Sequence, residues 1–447
     1  MIIDTIFAPA TAPGRSGVAV IRISGPKAER ALSRLGVKTP QPRKLILADL
    51  KDFSTAEYLD EALVAWFPGP ASFTGEDVVE LNIHGGHAVM QSVLSALQNI
   101  GGLRPAEPGE FTRRAFDAGK LDLTQAEALA DLVDAETRAQ ARQALRQMGG
   151  ALKTRYDGWR EQLIKALAHL EAVIDFPDED LPEETAAALW TSIETLERDM
   201  NDHLSDQGRG ERLRSGVHVV IIGPPNAGKS SLLNLLAKRD AAIVSETAGT
   251  TRDVIEVHMD LAGYPVLVAD TAGLRDTEDA IEDEGVRRAK GRAEQADVII
   301  ALLDGASYPV RDPATIDLIT PEAFVVVNKA DLLDQAREQE LDVENAWQET
   351  HFISVKEGFG IDLLIAKLTE RVAALCEAGT DAPITRARHR QALEECVAAL
   401  VRARSVDLPE LAAEDLRLAV RALGRITGHV DVEDLLDVVF RDFCIGK

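Results

Sequence analysis

Lys229 and Ser230 close the stretch Gly223-Pro-Pro-Asn-Ala-Gly-Lys-Ser230, which fits the pattern Gly-x-x-x-x-Gly-Lys-Ser/Thr. An ammonium next to a hydroxyl at this spacing suits a polyphosphate. Lys229 reaches the β and γ phosphates, and the Ser230 hydroxyl holds Mg²⁺. Gly223 and Gly228 let the backbone turn so that successive N–H groups face a pyrophosphate. The pattern carries meaning only between a strand and a helix. It has that setting here, after the apolar run Val217–Ile222 and before the helical stretch Ser230–Lys238.

Four later stretches supply the other groups such a site requires. Val266–Ala269 reads as a strand ending in Asp270-Thr-Ala-Gly273, where a carboxylate reaches Mg²⁺ through water and the Gly273 N–H meets a γ-phosphate. Between that strand and the loop, Ala248-Gly-Thr-Thr-Arg-Asp253 offers Thr251 to complete the Mg²⁺ shell. Ala323–Val327 leads into Asn328-Lys-Ala-Asp331, and a carboxylate at Asp331 accepts hydrogen bonds from guanine N1–H and the exocyclic amine. Adenine lacks that donor pair, and a site built for hydrogen bonds rejects analogues without them. Phe352-Ile-Ser-Val-Lys356 brings Ser354 near the base.

Alone, Asn-Lys-x-Asp reads equally well as a solvated loop. Here all five elements occur in order, each at the C-terminal end of a strand, where α/β sheets bind ligands. GTP is the expected ligand. Its contacts are expected from Asn226, Ala227, Gly228, Lys229, Ser230 and Ser231 of the loop, and from Ser245, Thr250 and Thr251 after it. Asp270, Thr271, Ala272 and Gly273 follow, then Asn328, Lys329, Asp331, Ser354, Val355 and Lys356.

Leu274 follows Gly273, at the position where small regulatory GTPases carry a water-orienting glutamine. Leucine cannot orient water, so another group must. Arg252, Arg275 and the acidic run Glu278-Asp-Ala-Ile-Glu-Asp-Glu284 are the neighbouring candidates. Each carboxylate in that run reads equally as part of a solvated helix.

The elements around these groups fall into distinct textures. The first hundred or so residues read as mixed α/β, with strands at Val18–Ile23, Ala62–Phe67 and Val78–Ile83 and a helix at Ala88–Gln98. From Leu123 the pattern is helical. Leu163, Ala166, Leu167, Leu170, Val173 and Ile174 form one apolar face, and Leu189, Ile193, Leu196, Met200 and Leu204 form the next. Gln207-Gly-Arg-Gly210 reads as a linker. Strands and helices alternate over 215–375, the mark of an α/β sheet. After Asp381-Ala-Pro383 helices return, with faces at Leu393, Cys396, Val397 and Leu400 and at Leu435, Leu436, Val439 and Phe440. The economy of cores predicts that this tail packs on the earlier helices, so that the nucleotide-binding part is an insertion in a helical domain.

At 447 residues, with 45% hydrophobic and 28% charged, the chain is long enough for about three domains. Its 49 basic and 74 acidic residues give a net charge of −25, so any nucleic-acid role needs a local basic patch or a partner that supplies one. Cys376, Cys396 and Cys444 are far apart and odd in number, which predicts a reducing cytoplasmic setting without a disulfide framework. No apolar run approaches a membrane span. His84 and His87 lack further ligands and read as packing or capping groups, not a metal site.

Taken together, these residues resemble the tRNA-modification GTPases called MnmE or TrmE over nearly the whole chain. The resemblance rests on Asp4-Thr-Ile, Gly14-Arg-Ser-Gly17, Ile21-Arg-Ile-Ser-Gly25, Phe73-Thr-Gly-Glu-Asp-Val-Val-Glu80 and His84-Gly-Gly86. It continues through Pro108-Gly-Glu-Phe-Thr112, Lys120-Leu-Asp-Leu-Thr-Gln-Ala-Glu127 and Gly249-Thr-Thr-Arg-Asp253 to the terminal Phe443-Cys-Ile-Gly-Lys447, which ordinary phosphate-loop GTPases do not carry. It implies a multidomain α/β and α protein in which a Ras-like GTPase domain is inserted into a helical domain. An N-terminal α+β folate-binding and dimerisation domain would span 1–120, the helical domain 121–212 and 379–447, and the GTPase domain 213–378. It also implies a homodimer and an FAD-dependent partner, MnmG (GidA), in a heterotetramer or larger assembly. With a one-carbon folate such as 5-formyl-tetrahydrofolate, the assembly would install an aminomethyl or carboxymethylaminomethyl group at C5 of the wobble uridine of tRNA.

Position by position, the resemblance makes Asn226 a K⁺ ligand completed by the loop around Ser245, Thr247 and Thr250. Thr247 stands where the family has isoleucine. The ion would occupy the place of an arginine finger, and two GTPase domains would pair across it. Glu282 matches the family's water-orienting glutamate. Arg22, Glu80 and Lys120 match folate-contacting positions, and Lys447 is placed near the same ligand. Chemically, Arg22 suits a glutamate tail and Glu80 the amine donors of a pterin. Cys444 reads either as a small apolar residue packing the last helix or as a thiol assisting the modification chemistry. The rival function is a ribosome-assembly GTPase acting as a binding switch, but such proteins usually append a basic RNA-binding module.

Overall fold

Period-two alternation builds the N-terminal sheet. In the strand Ser16–Ser24 the side chains of Ala19, Ile21 and Ile23 are buried, while Val18 and Arg22 point to the opposite face. The computed structural model describes residues 4–175, 183–239, 256–270, 290–307, 312–333, 350–377, 382–430, 433–441, 443 and 446. Contacts divide the chain into two units. The first holds residues 1–130, 147–193 and 395–447, the second 131–146 and 194–394.

The sheet of the first unit comprises β1 (Thr5–Pro9), β2 (Ser16–Ser24), β3 (Ile46–Lys51), β4 (Tyr58–Phe67), β5 (Val78–Gly85) and β6 (Leu103–Pro105). Their order is β3-β4-β5-β2-β1-β6. β6 runs parallel to β1, and the other pairs are antiparallel. Helices α1 (Ala28–Arg34) and α2 (His87–Gln98) supply Leu32, Val93 and Leu97 to a core shared with Ile21, Ile23, Val64, Leu81 and Ile83. On the other face Leu47 lies opposite Leu63, and Leu63 opposite Asn82. Leu47 is 62% and Leu63 43% exposed.

Helices α3 (Glu110–Asp117), α4 (Leu123–Asp134), α5 (Arg138–Met148), α6 (Ala151–Asp175), α7 (Glu183–Leu204) and α8 (Arg209–Ser215) follow. The two apolar faces read from the sequence are real. Leu163, Ala166 and Leu170 of α6 are buried, as are Ile193, Leu196 and Met200 of α7. The stretch read as a linker differs. Gln207 and Gly208 make a turn at φ 56° and 74°, and α8 begins at once. Gly210 is buried there because a Cβ would collide with the Ile384 carbonyl and Pro383, a close approach that only glycine permits.

The second sheet contains β7 (Val217–Ile222), β8 (Glu256–Leu261), β9 (Tyr264–Asp270), β10 (Val298–Asp304), β11 (Phe324–Asn328) and β12 (Thr350–Phe352), ordered β12-β11-β10-β7-β9-β8. All neighbours are parallel except β8 and β9. Buried on both faces, β10 reads Val-Ile-Ile-Ala-Leu-Leu-Asp, the continuous apolar run of a central parallel strand. Helices α9 (Lys229–Ala237), α10 (Pro313–Ile316) and α11 (Ile361–Cys376) flank this sheet. The topology is that of a phosphate-loop α/β domain.

The chain ends in α12 (Ala387–Ser405), α13 (Pro409–Thr427) and α14 (Glu433–Arg441). Within the first unit the tail returns to earlier helices, as the economy of cores predicts. Arg417 of α13 pairs with Glu171 of α6 at 2.9 Å. Leu436, Phe440 and Phe443 pack on Leu123 and Ala126 of α4. No helix among the described residues is long and apolar enough to cross a membrane.

Candidate functional site

β7 delivers the chain into the phosphate loop, and the glycines there answer steric demands. Gly223 has φ 153°, and a Cβ on it would collide with the Leu302 carbonyl of β10. Gly228 has φ 99° and caps α9, where a Cβ would collide with the Asn328 side chain. Asn226 adopts the left-handed conformation at φ 65°, which asparagine tolerates better than most residues, and its side chain faces solvent. The loop thus presents backbone and small side chains where an anion must come close.

Lys229 lies at the first turn of α9 with only 8% exposure. Its ammonium donates to the carbonyls of Gly223 at 2.8 Å and Pro224 at 3.0 Å. These two acceptors are neutral, and a phosphate oxygen offers this buried cation a stronger, charge-assisted bond. Ala227 is buried beneath the loop, and Ser230 and Ser231 are exposed on the first turn of α9. The donor set therefore fits a polyphosphate.

The base end is built from the ends of β11 and β12. Asn328 donates through its amide nitrogen to the Ala227 carbonyl at 2.8 Å, and its oxygen accepts from the Val355 N–H at 3.1 Å. Lys329 stands at φ 62° and donates to Asp304 at the end of β10 at 2.6 Å. Asp304 was not singled out from the sequence, because no local spacing links it to Lys329. Ser354 is buried and donates to Asp331 Oδ1 at 2.6 Å. That bond fixes the exposed Asp331 carboxylate in orientation, and Oδ2 stays available to a ligand donor. Lys356 is exposed next to Val355. An acceptor held in place by a buried hydroxyl fits the paired donors of guanine.

Several expected site residues fall outside the described residues: Ser245, Thr247, Thr250, Thr251, Thr271, Ala272, Gly273 and Glu282, together with Cys444 and Lys447. Asp270 ends β9, but its side chain is not among those described.

In the first unit, β2 and β5 bring Arg22 directly opposite Glu80. Arg22 donates to Glu80 Oε1 through NH2 at 2.8 Å and Nε at 3.1 Å, which leaves Oε2 for another donor. The two groups thus form one ion pair, whereas the chemical reading of the sequence assigned them to separate parts of a ligand. The guanidinium lies 5.6 Å from the ring centre of Phe73 and 5.8 Å from that of Phe111. Lys120 is exposed beside Gly75, whose Cβ would lie 3.5 Å from its Cε. Phe111 is fully buried and backs the guanidinium, while the Phe73 ring is accessible. A cation, a carboxylate acceptor and one open aromatic ring suit a flat heterocycle carrying amines and an acidic tail.

A buried ion network supports this corner, and no local motif announces it. Arg114 of α3 is 7% exposed and donates to Asp4 at 2.8 Å, Glu110 at 2.9 Å and Glu76 at 3.1 Å. Glu76 also accepts from Ser24 of β2 at 2.8 Å. Burial would raise the Glu110 carboxyl, but hydrogen bonds from Arg104, the Glu107 N–H and Arg114 outweigh it and hold the group below its ordinary value. The same two arginines hold Asp4 below its ordinary value against the effect of burial. Near the C-terminus, Phe443 packs on Phe440 and Gly109, and Gly446 sits against the Pro9 carbonyl at the end of β1. His84 bonds Asp60 through Nδ1 at 2.7 Å with its own side chain largely exposed.

Comparison with known proteins agrees with this geometry. The family described as MnmE helical domain matches residues 123–444, and the family described as GTP-binding protein TrmE N-terminus matches residues 5–120. The tRNA modification GTPase MnmE of Rhodospirillum rubrum is 55% identical over 459 residues, covering 100% of each chain. That of Parvibaculum lavamentivorans is 55% identical over 449 residues, 99% of this chain and 100% of its own. The mitochondrial 5-taurinomethyluridine-(tRNA) synthase subunit GTPB3 of Danio rerio is 49% identical over 469 residues, 99% of this chain and 93% of its own.

Proposed function

The chain belongs to the MnmE (TrmE) family of tRNA-modification GTPases, and from that premise we propose how its residues divide the work. It binds and hydrolyses GTP and acts in tRNA modification. In our reading it does so in the cytoplasm as a homodimer, joined to an FAD-dependent MnmG-type partner. The assembly uses a one-carbon folate to place an aminomethyl or carboxymethylaminomethyl group on C5 of the wobble uridine. The domain limits 1–120, 121–212, 213–378 and 379–447 belong to the same reading. Membership in this family sets aside the ribosome-assembly alternative.

At the GTP site, Lys229 and the loop backbone hold the phosphates, and Asp331, steadied by Ser354, selects guanine. Asn328 keeps the two ends of the site in register. Ser230 and Thr251 would hold Mg²⁺, and Asn226 with Ser245, Thr247 and Thr250 would hold K⁺. Together these cations supply positive charge to the γ-phosphoryl group as it transfers. Glu282 orients the attacking water, a task Leu274 cannot perform. The exposed left-handed Asn226 supports its role as an outward-facing ligand.

One observation carries the folate reading: the Arg22–Glu80 pair stands beside the accessible Phe73 ring, with its guanidinium backed by the buried Phe111. The seat of Gly446 against Pro9 supports a place for Lys447 in the same corner, since Ala8 next to Pro9 lies opposite Arg22. The uncovered sheet face with Leu47 and Leu63 supports dimerisation through this unit. Nucleoside mass spectrometry of tRNA from cells lacking the protein tests the function as a whole. The C5-modified wobble uridine should disappear and return on complementation; its persistence at normal levels would contradict the reading.

A further inference from the structure

A chain of net charge −25 needs a local concentration of cations to touch RNA. Residues 396–406 and 416–430 provide one. They contain Arg402, Arg404, Arg417, Arg421 and Arg425 and no Asp or Glu. The acids of the same two helices are confined elsewhere, at Glu394 and Glu395 and at Glu410, Glu414 and Asp415. On α13 the arginines recur every fourth residue, so they share one face at intervals of about 6 Å along the axis.

A groove of about 550 Å³ opens between α12 and α13, lined by Arg402, Arg421, Arg425 and Glu395 over Leu418 and two alanines. Arg402 pairs with Asp415 at 2.9 Å, and Arg425 pairs with Glu395. The Arg425–Glu395 pair is exposed on both sides, and such pairs contribute little, so a phosphate displaces Glu395 at small cost. Asp415 is mostly buried, and exposed Arg402 reaches a phosphate while keeping that partner. Arg421 is exposed and has no partner among the described residues. Guanidinium groups grip phosphate bidentately, and the small residues on the groove floor admit a sugar–phosphate backbone. The lining has no aromatic ring, the usual anchor of a protein partner.

We propose that the α12–α13 groove is a phosphate-backbone docking surface for the tRNA substrate, with Arg402, Arg421 and Arg425 each taking a phosphate. The proposal rests on the tRNA-modification reading and adds to it where on this chain the RNA lies.

The test is binding of an unmodified tRNA transcript to the full-length protein between 50 and 200 mM KCl. Arg421→Gln should weaken binding and lower the slope of log K against log salt by about one, and the triple Arg402, Arg421, Arg425→Gln variant by about two to three. Glutamine keeps helix propensity, and GTP turnover should match wild type in both. Unchanged affinity and slope in the triple variant would overturn the proposal, and so would a wild-type chain that retains no tRNA at 50 mM salt. Loss of partner assembly with tRNA binding intact would overturn it too and make the groove a protein interface. Wobble-nucleoside analysis of cells lacking the chain separates the two levels. If the modification disappears there, the functional reading stands even where the groove fails.

Discussion

Asn328 bonds the carbonyl of Ala227 at 2.8 Å across 101 residues of sequence, and in doing so ties the phosphate loop to the base-recognition end of the site. Its other side-chain atom accepts from Val355, so one amide joins three of the five nucleotide motifs.

Replacing Asn328 with Ala leaves the Ala227 carbonyl and the Val355 N–H without that partner, a cost of about 1–3 kcal/mol for each buried group abandoned. GTP affinity should fall roughly tenfold to a hundredfold, with GTP and GDP affected alike because the clamp touches no γ-phosphate. Titration with a fluorescent guanine nucleotide checks this. Wild-type affinity in the variant would mean the loop holds its shape without the clamp.

Hydrolysis should depend on the monovalent cation. Turnover in KCl should exceed that in NaCl at equal ionic strength, and Asn226→Ala should erase the difference while GTP still binds. Equal rates of the wild-type protein in the two salts would remove K⁺ from the account.

Much of this site could be read from the sequence because each motif is local. A phosphate loop needs its glycines and lysine at fixed spacing, and the strands before the motifs are short apolar runs. The faces of α6 and α7 were legible for the same reason, since periodicity reports burial. Pairings across sequence were not legible. Arg22 and Glu80 are 58 residues apart and meet only through strand register. Asp4 and Arg114 are 110 apart and meet through a helix docked on a sheet edge. β3 was missed because it lies at the sheet edge and its apolar Leu47 points outward, which blurs the usual alternation.

The ion network predicts a specific pH response. The folded-state value of Glu110 is depressed, so its contribution is full above its ordinary value near 4.5 and is lost as pH falls through the depressed value. Glu110→Gln takes one carboxylate from Arg104 and the buried Arg114, which keep Asp4 and, for Arg114, Glu76, and should cost about 1–3 kcal/mol at neutral pH. The gap from wild type in urea unfolding should narrow only in that acid range. A gap that stays constant down to pH 3 would show that Glu110 acts through shape instead of charge.

Thiol chemistry separates the three cysteines. Burial pushes Cys376 and Cys396 up to about 12, so neither should react with a thiol reagent at pH 8 until the chain unfolds. Native protein should therefore take up no reagent at Cys376 or Cys396. Cys444→Ser should keep GTP turnover and lose wobble modification. Normal modified-nucleoside levels in that variant would return Cys444 to a packing role.

The most direct measurement concerns Asp331. Asp331→Asn turns an acceptor pair into one acceptor and one donor, which suits xanthine, whose C2 carbonyl replaces the guanine amine. The variant should lose GTP turnover by roughly a hundredfold or more and gain turnover of xanthosine triphosphate. The fold should be unchanged, because Ser354 still donates to the oxygen it holds in the wild type. Undiminished GTP hydrolysis in Asp331→Asn would contradict the assignment of this corner to the guanine base, and with it the site on which the account rests.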